Sequence, residues 1–124
     1  MKIESYKDLE VWQRGIDVVT RIYRLTATLP NEERYGLSSQ LQRASVSIPA
    51  NIAEGWAREH LGDYLRHLSF AKASLAEVET LLIICINLEY IAASRIDELQ
   101  NDLAILGKKL TTLHRKLKLK HPNA

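Results

Sequence analysis

Ile96, Leu99, Leu103, Leu106, Leu110, Leu113 and Leu117 follow one another at intervals of three, four, three, four, three and four residues. An α-helix turns once in about 3.6 residues, so this spacing lines the aliphatic side chains along one face. A strand cannot use it, because strand side chains change sides at every residue. The row predicts a long helix over about residues 94–119 that packs at a shallow crossing angle. One side of a helical bundle and a separate coiled coil both satisfy it. Ser94-Arg-Ile-Asp97 has the form of a capping box at its start.

The same spacing can be followed through the rest of the chain, which has only five glycines and three prolines and no alternating strand pattern. A first helix is expected over about 8–28, with Asp8 as N-cap and Pro30 as stop. It carries two apolar rows, Leu9, Trp12, Ile16, Val19 and Tyr23 beside Val11, Gly15, Val18, Ile22 and Leu25. Two rows exceed what one core-facing stripe needs, which favours self-association. Gly15 weakens a helix interior by roughly 1 kcal/mol relative to alanine and suggests a closely approaching neighbour. Further helices are expected over about 37–58 and 61–88, with residues 120–124 as a short tail. Short connections make sequential helices antiparallel, so the expected fold is a single all-α domain, an antiparallel up-down-up-down four-helix bundle.

The 124 residues suit one domain. The start lacks a secretory signal pattern, and the apolar window LLIICINL is far too short to cross a bilayer, so a cytoplasmic protein without membrane contact is expected. Cys85 is the single cysteine, which rules out an internal disulfide, and its isoleucine neighbours mark it as a buried hydrophobe. The net charge of +2 is unevenly distributed: all 15 acids precede residue 103, whereas Lys108, Lys109, Arg115, Lys116, Lys118 and Lys120 follow it with no acid among them. A helix C-terminus favours a few cations through its dipole, but six exceed that need and make this segment a candidate phosphate-binding surface.

The second helix contains SIPANIAEG, residues 47–55. Pro49 should cost a helix interior about 3 kcal/mol and bend it, since it lacks an amide hydrogen and crowds the preceding turn. Around it Gln40, Arg43, Ser47, Asn51, Glu54 and Arg58 follow at three- and four-residue intervals. Such a row either faces water or forms a hydrogen-bonded seam. Ser74, Glu77, Glu79 and Thr80 on the third helix are the candidate partners for Arg43 and Asn51. Gly55 would permit close packing or an early helix end.

VWQ at 11–13, YGL at 35–37, Gln40, Arg43, SIPANIAEG with Arg58, and ASLAEVET at 73–80 together resemble the 23S ribosomal RNA intervening-sequence (S23) protein family, over about residues 6–91. Ala73 departs from the glycine that this family commonly has before Ser-Leu. The resemblance implies a four-helix bundle assembled as a homopentameric ring, encoded in many cases within ribosomal RNA genes. It also implies kinship with the accessory protein of diversity-generating retroelements, which binds its reverse transcriptase and nucleic acid. No enzymatic activity and no cofactor are implied.

Other chemistry finds little support in the sequence. Di-iron bundles need Glu-x-x-His on two helices, and none of the four histidines has a glutamate three residues before it. His60, Asp63 and His67 share a helix face that could capture a metal, but a solvated helix start is the simpler reading. Gly-rich phosphate loops, HExxH and nucleophile elbows are absent. Two functions stay open at this point: a nucleic-acid-associated oligomer that meets RNA or DNA phosphates through its basic end, and a protein scaffold for a reverse transcriptase or ribosomal partner.

Overall fold

The computed structural model describes residues 2–120. Four α-helices, α1 (Glu10–Thr26), α2 (Leu37–Trp56), α3 (Leu61–Asn87) and α4 (Asp97–Lys120), pack around one core, and no strand occurs among the described residues. Single 3-10 turns at Tyr6–Asp8, Asn31–Glu33 and Ala93–Ile96 precede α1, α2 and α4. Lys120 closes α4, and residues 121–124 of the expected tail lie outside the described residues.

The core follows the sequence periodicity. Leu99, Leu103, Leu106 and Leu110 of the leucine row are buried, while Leu113 and Leu117 are partly covered where α4 outruns its neighbours. They meet Ile22 of α1, Ile48 and Ile52 of α2, and Leu68, Val78 and Leu82 of α3, all fully enclosed. Each such side chain contributes about 1.5–3 kcal/mol by leaving water. Cys85 is buried too, and burial, followed by the nearby Glu33 carboxylate, pushes its thiol pKa up. Of the two α1 rows, Val11, Gly15, Val18, Ile22 and Leu25 face inward. The other stays open at Ile16 and Tyr23, which are 41% and 46% exposed.

Two helix starts differ from expectation. Asp8 does not cap α1; its carboxylate accepts from the amides of Glu4 and Ser5 at 2.9 and 3.2 Å, closing the turn before the helix. Ser94 lies inside a 3-10 turn that has no side-chain cap, and α4 starts at Asp97. At the far end of α3, Glu89 has φ 63° while the amides of Glu89 and Tyr90 donate to the carbonyls of Ile86 and Cys85. This is the Schellman arrangement, with glutamate where glycine is favoured. Tyr90 then donates its hydroxyl to Glu33 at 2.9 Å, and Glu33 also accepts from the Leu37 amide at 3.2 Å. One carboxylate thereby joins the α1–α2 and α3–α4 connections.

Candidate functional site: the polar seam and the basic face of α4

α2 divides SIPANIAEG among its neighbours. Ile48 and Ile52 enter the core. Pro49 is buried against α1, where a Cβ on Gly15 would stand 3.2 Å from its Cβ. α2 runs unbroken from Leu37 to Trp56 through the proline, so Pro49 serves as a flat packing surface for Gly15. Gly55 lies against α3: a Cβ there would meet the His67 Cβ at 2.8 Å and Tyr64 at 3.0 Å. Its role is close packing, and the helix continues to Trp56. Burial also pushes the Tyr64 hydroxyl up to about 12.

Ser47 and Asn51 face α3 and form a connected seam. The Asn51 amide nitrogen donates to the Ser47 carbonyl and hydroxyl at 2.8 and 2.9 Å. Ser74 donates its hydroxyl to Ser47 at 2.8 Å. The Asn51 carbonyl oxygen lies 2.9 Å from His67 Nδ1, and since that oxygen can only accept, Nδ1 carries the hydrogen. Glu54 stands 3.7 Å from the same nitrogen. Gln40, Arg43, Arg58 and Glu77 were candidate members and are instead exposed; none makes a side-chain hydrogen bond or ion pair among the described residues. Thr80 donates back to its own helix at Ala76. His67 is the member that spacing missed, and its Nδ1 is taken up by Asn51. Among the described residues no three His, Cys, Asp or Glu side chains are placed to share a metal ion.

The basic end of α4 splits between two flanks. Toward α1, Lys109 pairs with Glu10 at 3.2 Å, and Glu10 also receives Arg14 at 2.7 Å. The Arg14 hydrogen bond and then Lys109 hold the Glu10 carboxyl below its ordinary range. Lys116 lies beside this pair along a shallow cleft of about 360 Å³. Farther along, Arg21 of α1 bridges Asp102 at 2.6 Å and Asp17 at 3.0 Å. Toward α3, Lys108 edges a larger groove of about 610 Å³ whose other rim carries Lys72. His114 stands 3.5 Å from Ser69 of α3. Its pKa is lowered by burial and then by Lys118 and Lys72. Lys108, Arg115, Lys116, Lys118 and Lys120 are exposed, and none lies within ion-pair distance of a carboxylate among the described residues.

The family model for the 23S rRNA-intervening sequence protein matches residues 7–112, nearly the whole of the four-helix core. The chain belongs to this family. For the 23S rRNA-intervening sequence family, the match reaches beyond the motifs around SIPANIAEG into the leucine row of α4. A solved structure described as a protein of unknown function from the S23 ribosomal protein family of Bacteroides thetaiotaomicron is similar. It shares 28% identity over 84% of this chain and 97% of its own, with a TM-score of 0.78. No curated protein matches. Among the described residues no helix is long and apolar enough to cross a membrane.

Proposed function

We propose that this member of the 23S rRNA-intervening sequence family is a non-enzymatic oligomer that associates with RNA or DNA phosphates, without strong sequence preference, through α4. The observation that carries the reading is the set of exposed cations Lys108, Arg115, Lys116, Lys118 and Lys120, which have no acidic partner among the described residues while Lys109 is taken up by Glu10. Side chains of this kind release counterions from a nucleic acid and bind by charge. An antiparallel up-down-up-down bundle is supported by the pairs Glu10–Lys109 and Arg21–Asp102, in which later residues of α1 meet earlier residues of α4. Assembly as the homopentameric ring implied by the family resemblance is supported by the bare apolar side chains of Ile16, Tyr23, Phe70, Ile84 and Leu88. A ring repeats the basic face around its axis, and repetition turns weak phosphate contacts into useful affinity.

Two measurements test this. Sedimentation should show an oligomer, and Ile16→Asp with Tyr23→Asp should reduce it toward the 14.1 kDa chain. Oligonucleotide affinity should fall steeply with salt, and Lys116→Glu, Lys118→Glu and Lys120→Glu together should abolish binding with assembly intact. Undiminished binding by that triple variant sinks the proposal. The exposed apolar side chains of Phe70 and Ile84 on α3, and of Leu88 just past its end, favour a second reading, a scaffold for a protein partner such as a reverse transcriptase. Stoichiometric co-purification of a protein with no nucleic acid would select it.

A further inference from the structure

α4 meets α3 less extensively than α2 does, and the facing side chains explain why. Ala76 of α3 looks across at Ala104 and Gly107 of α4, and these small groups leave the groove of about 610 Å³ open down to Leu75 and Leu103. A Cβ added at Gly107 would touch only the end of Leu75, at 3.7 Å, so the space at this helix flank is unfilled.

We propose that this groove holds a single nucleic-acid strand, with phosphates on Lys72 and Lys108 and unpaired bases or sugars against the apolar floor. The inference rests on the nucleic-acid reading above and narrows it to one face and one strand form. Lys72 lies in the middle of α3, where no helix dipole favours a cation, yet it lines the same groove as Lys108 of α4. Cations arriving from two helices make a rim, which six cations on one helix would not. The nearby acids are engaged elsewhere: Glu10 holds Arg14 and Lys109, and Asp102 holds Arg21. Glu79 does line the groove, but it stands about 10 Å along α3 from Lys72, on the side away from His114.

Shape and donor type select the occupant. A duplex turns its phosphates outward and its bases inward, so it cannot use an apolar floor between two helices. An unpaired strand can lay its bases there. Carboxylates are best recognised by the arginine fork, whereas lysines and the hydroxyls of Thr111 and Thr112 suit phosphate oxygens that need no fixed orientation.

The test is equilibrium binding, read by fluorescence anisotropy, of labelled oligouridylate and of a duplex of equal length over a series of salt concentrations. The single strand should bind more tightly. Lys72→Gln should weaken it several-fold and reduce the slope of log affinity against log salt by about 0.7 per protomer engaged, the value for one phosphate of a single strand. Gly107→Leu and, separately, Ala104→Leu fill the groove without altering charge, so they should weaken strand binding at an unchanged salt slope. Circular dichroism and sedimentation check that both variants fold and assemble. Lys7→Gln should leave affinity and slope unaltered, because that exposed lysine sits in the turn before α1 and does not line the groove. If Lys72→Gln and both filling variants bind like the parent while the triple α4 variant binds nothing, the groove is wrong and the broader reading stands. Failure of the parent to bind either oligonucleotide removes both. Preference for the duplex, or displacement of the strand by oligoglutamate as readily as by unlabelled oligouridylate, overturns the groove assignment.

Discussion

Gly55→Ala should destabilise the protein although alanine is the better helix former. The substituted Cβ would sit 2.8 Å from the His67 Cβ and 3.0 Å from Tyr64, with the Tyr64 carbonyl at 3.3 Å. Carbon atoms prefer about 3.5–4.0 Å, so α2 and α3 must separate locally by about 1 Å. The His67 Cβ is fixed to the α3 backbone, as is the Tyr64 carbonyl, so turning the Tyr64 ring away cannot relieve the contact. One turn away, the 2.9 Å hydrogen bond between Asn51 and His67 would stretch beyond useful length. Overpacking costs about 1–3 kcal/mol and the bond about 1 kcal/mol, against at most about 1 kcal/mol gained in helix propensity. The net loss of about 1–3 kcal/mol should lower the melting temperature by roughly 4–12 °C at this chain length. Gly107→Ala supplies the contrast: its Cβ meets only Leu75 at 3.7 Å, so the propensity gain should appear as a higher melting temperature. Calorimetry or circular dichroism melts of both variants decide the matter. A higher melting point for Gly55→Ala would show that the helices do not approach this closely.

Glu89→Gly should stabilise the chain by about 1 kcal/mol, measured by urea unfolding, because φ 63° strains any residue with a Cβ. Tyr90→Phe should lower the urea midpoint in the same measurement, since it removes the hydroxyl that donates to Glu33. In an NMR titration His114 should protonate below the ordinary value of 6.5, because burial and then Lys118 and Lys72 oppose its charge. The unfolded chain takes that proton more readily, so the stability linked to His114 is present above the ordinary histidine pKa and is lost as pH falls below it through the lowered folded value. His114→Asn should flatten this part of the pH profile; an unchanged profile would contradict the assignment.

The sequence was most legible where one helix face meets the core. The leucine row of α4 and the inner row of α1 are buried in register, since a 3.6-residue period fixes which side chains share a face. The polar row of α2 was legible as a row but not as a set of contacts. Each step of three residues swings a side chain back by about 60° and each step of four carries it forward by about 40°. Asn51 and Glu54 are one step of three apart, which places the first against α3 and leaves the second exposed. His67 could not be found this way, because its bond to Asn51 crosses between helices and depends on how α3 is rotated. The starts of α1 and α4 were blurred for another reason: a 3-10 turn precedes each helix, and before α1 it takes Asp8 into its own capping box.

The glycines show why α4 is the helix with a face left over. At Gly15 and Gly55 the missing side chain is met by bulk on the neighbour, Pro49 in one case and His67 with Tyr64 in the other. The helices therefore close on each other, and α2 is gripped from both sides. At Gly107 the neighbour offers Ala76 and the end of Leu75, small against small, and the gap remains. α4 does not drift in to fill it, because Lys109 and Asp102 tie its opposite flank to Glu10 and Arg21 of α1. The same two ion pairs consume acids that would otherwise neutralise the basic end. Anchoring α4 on the α1 side thus leaves the open groove on the α3 side with Lys72 and Lys108 along it, which is where a polyanion would find shape and charge together.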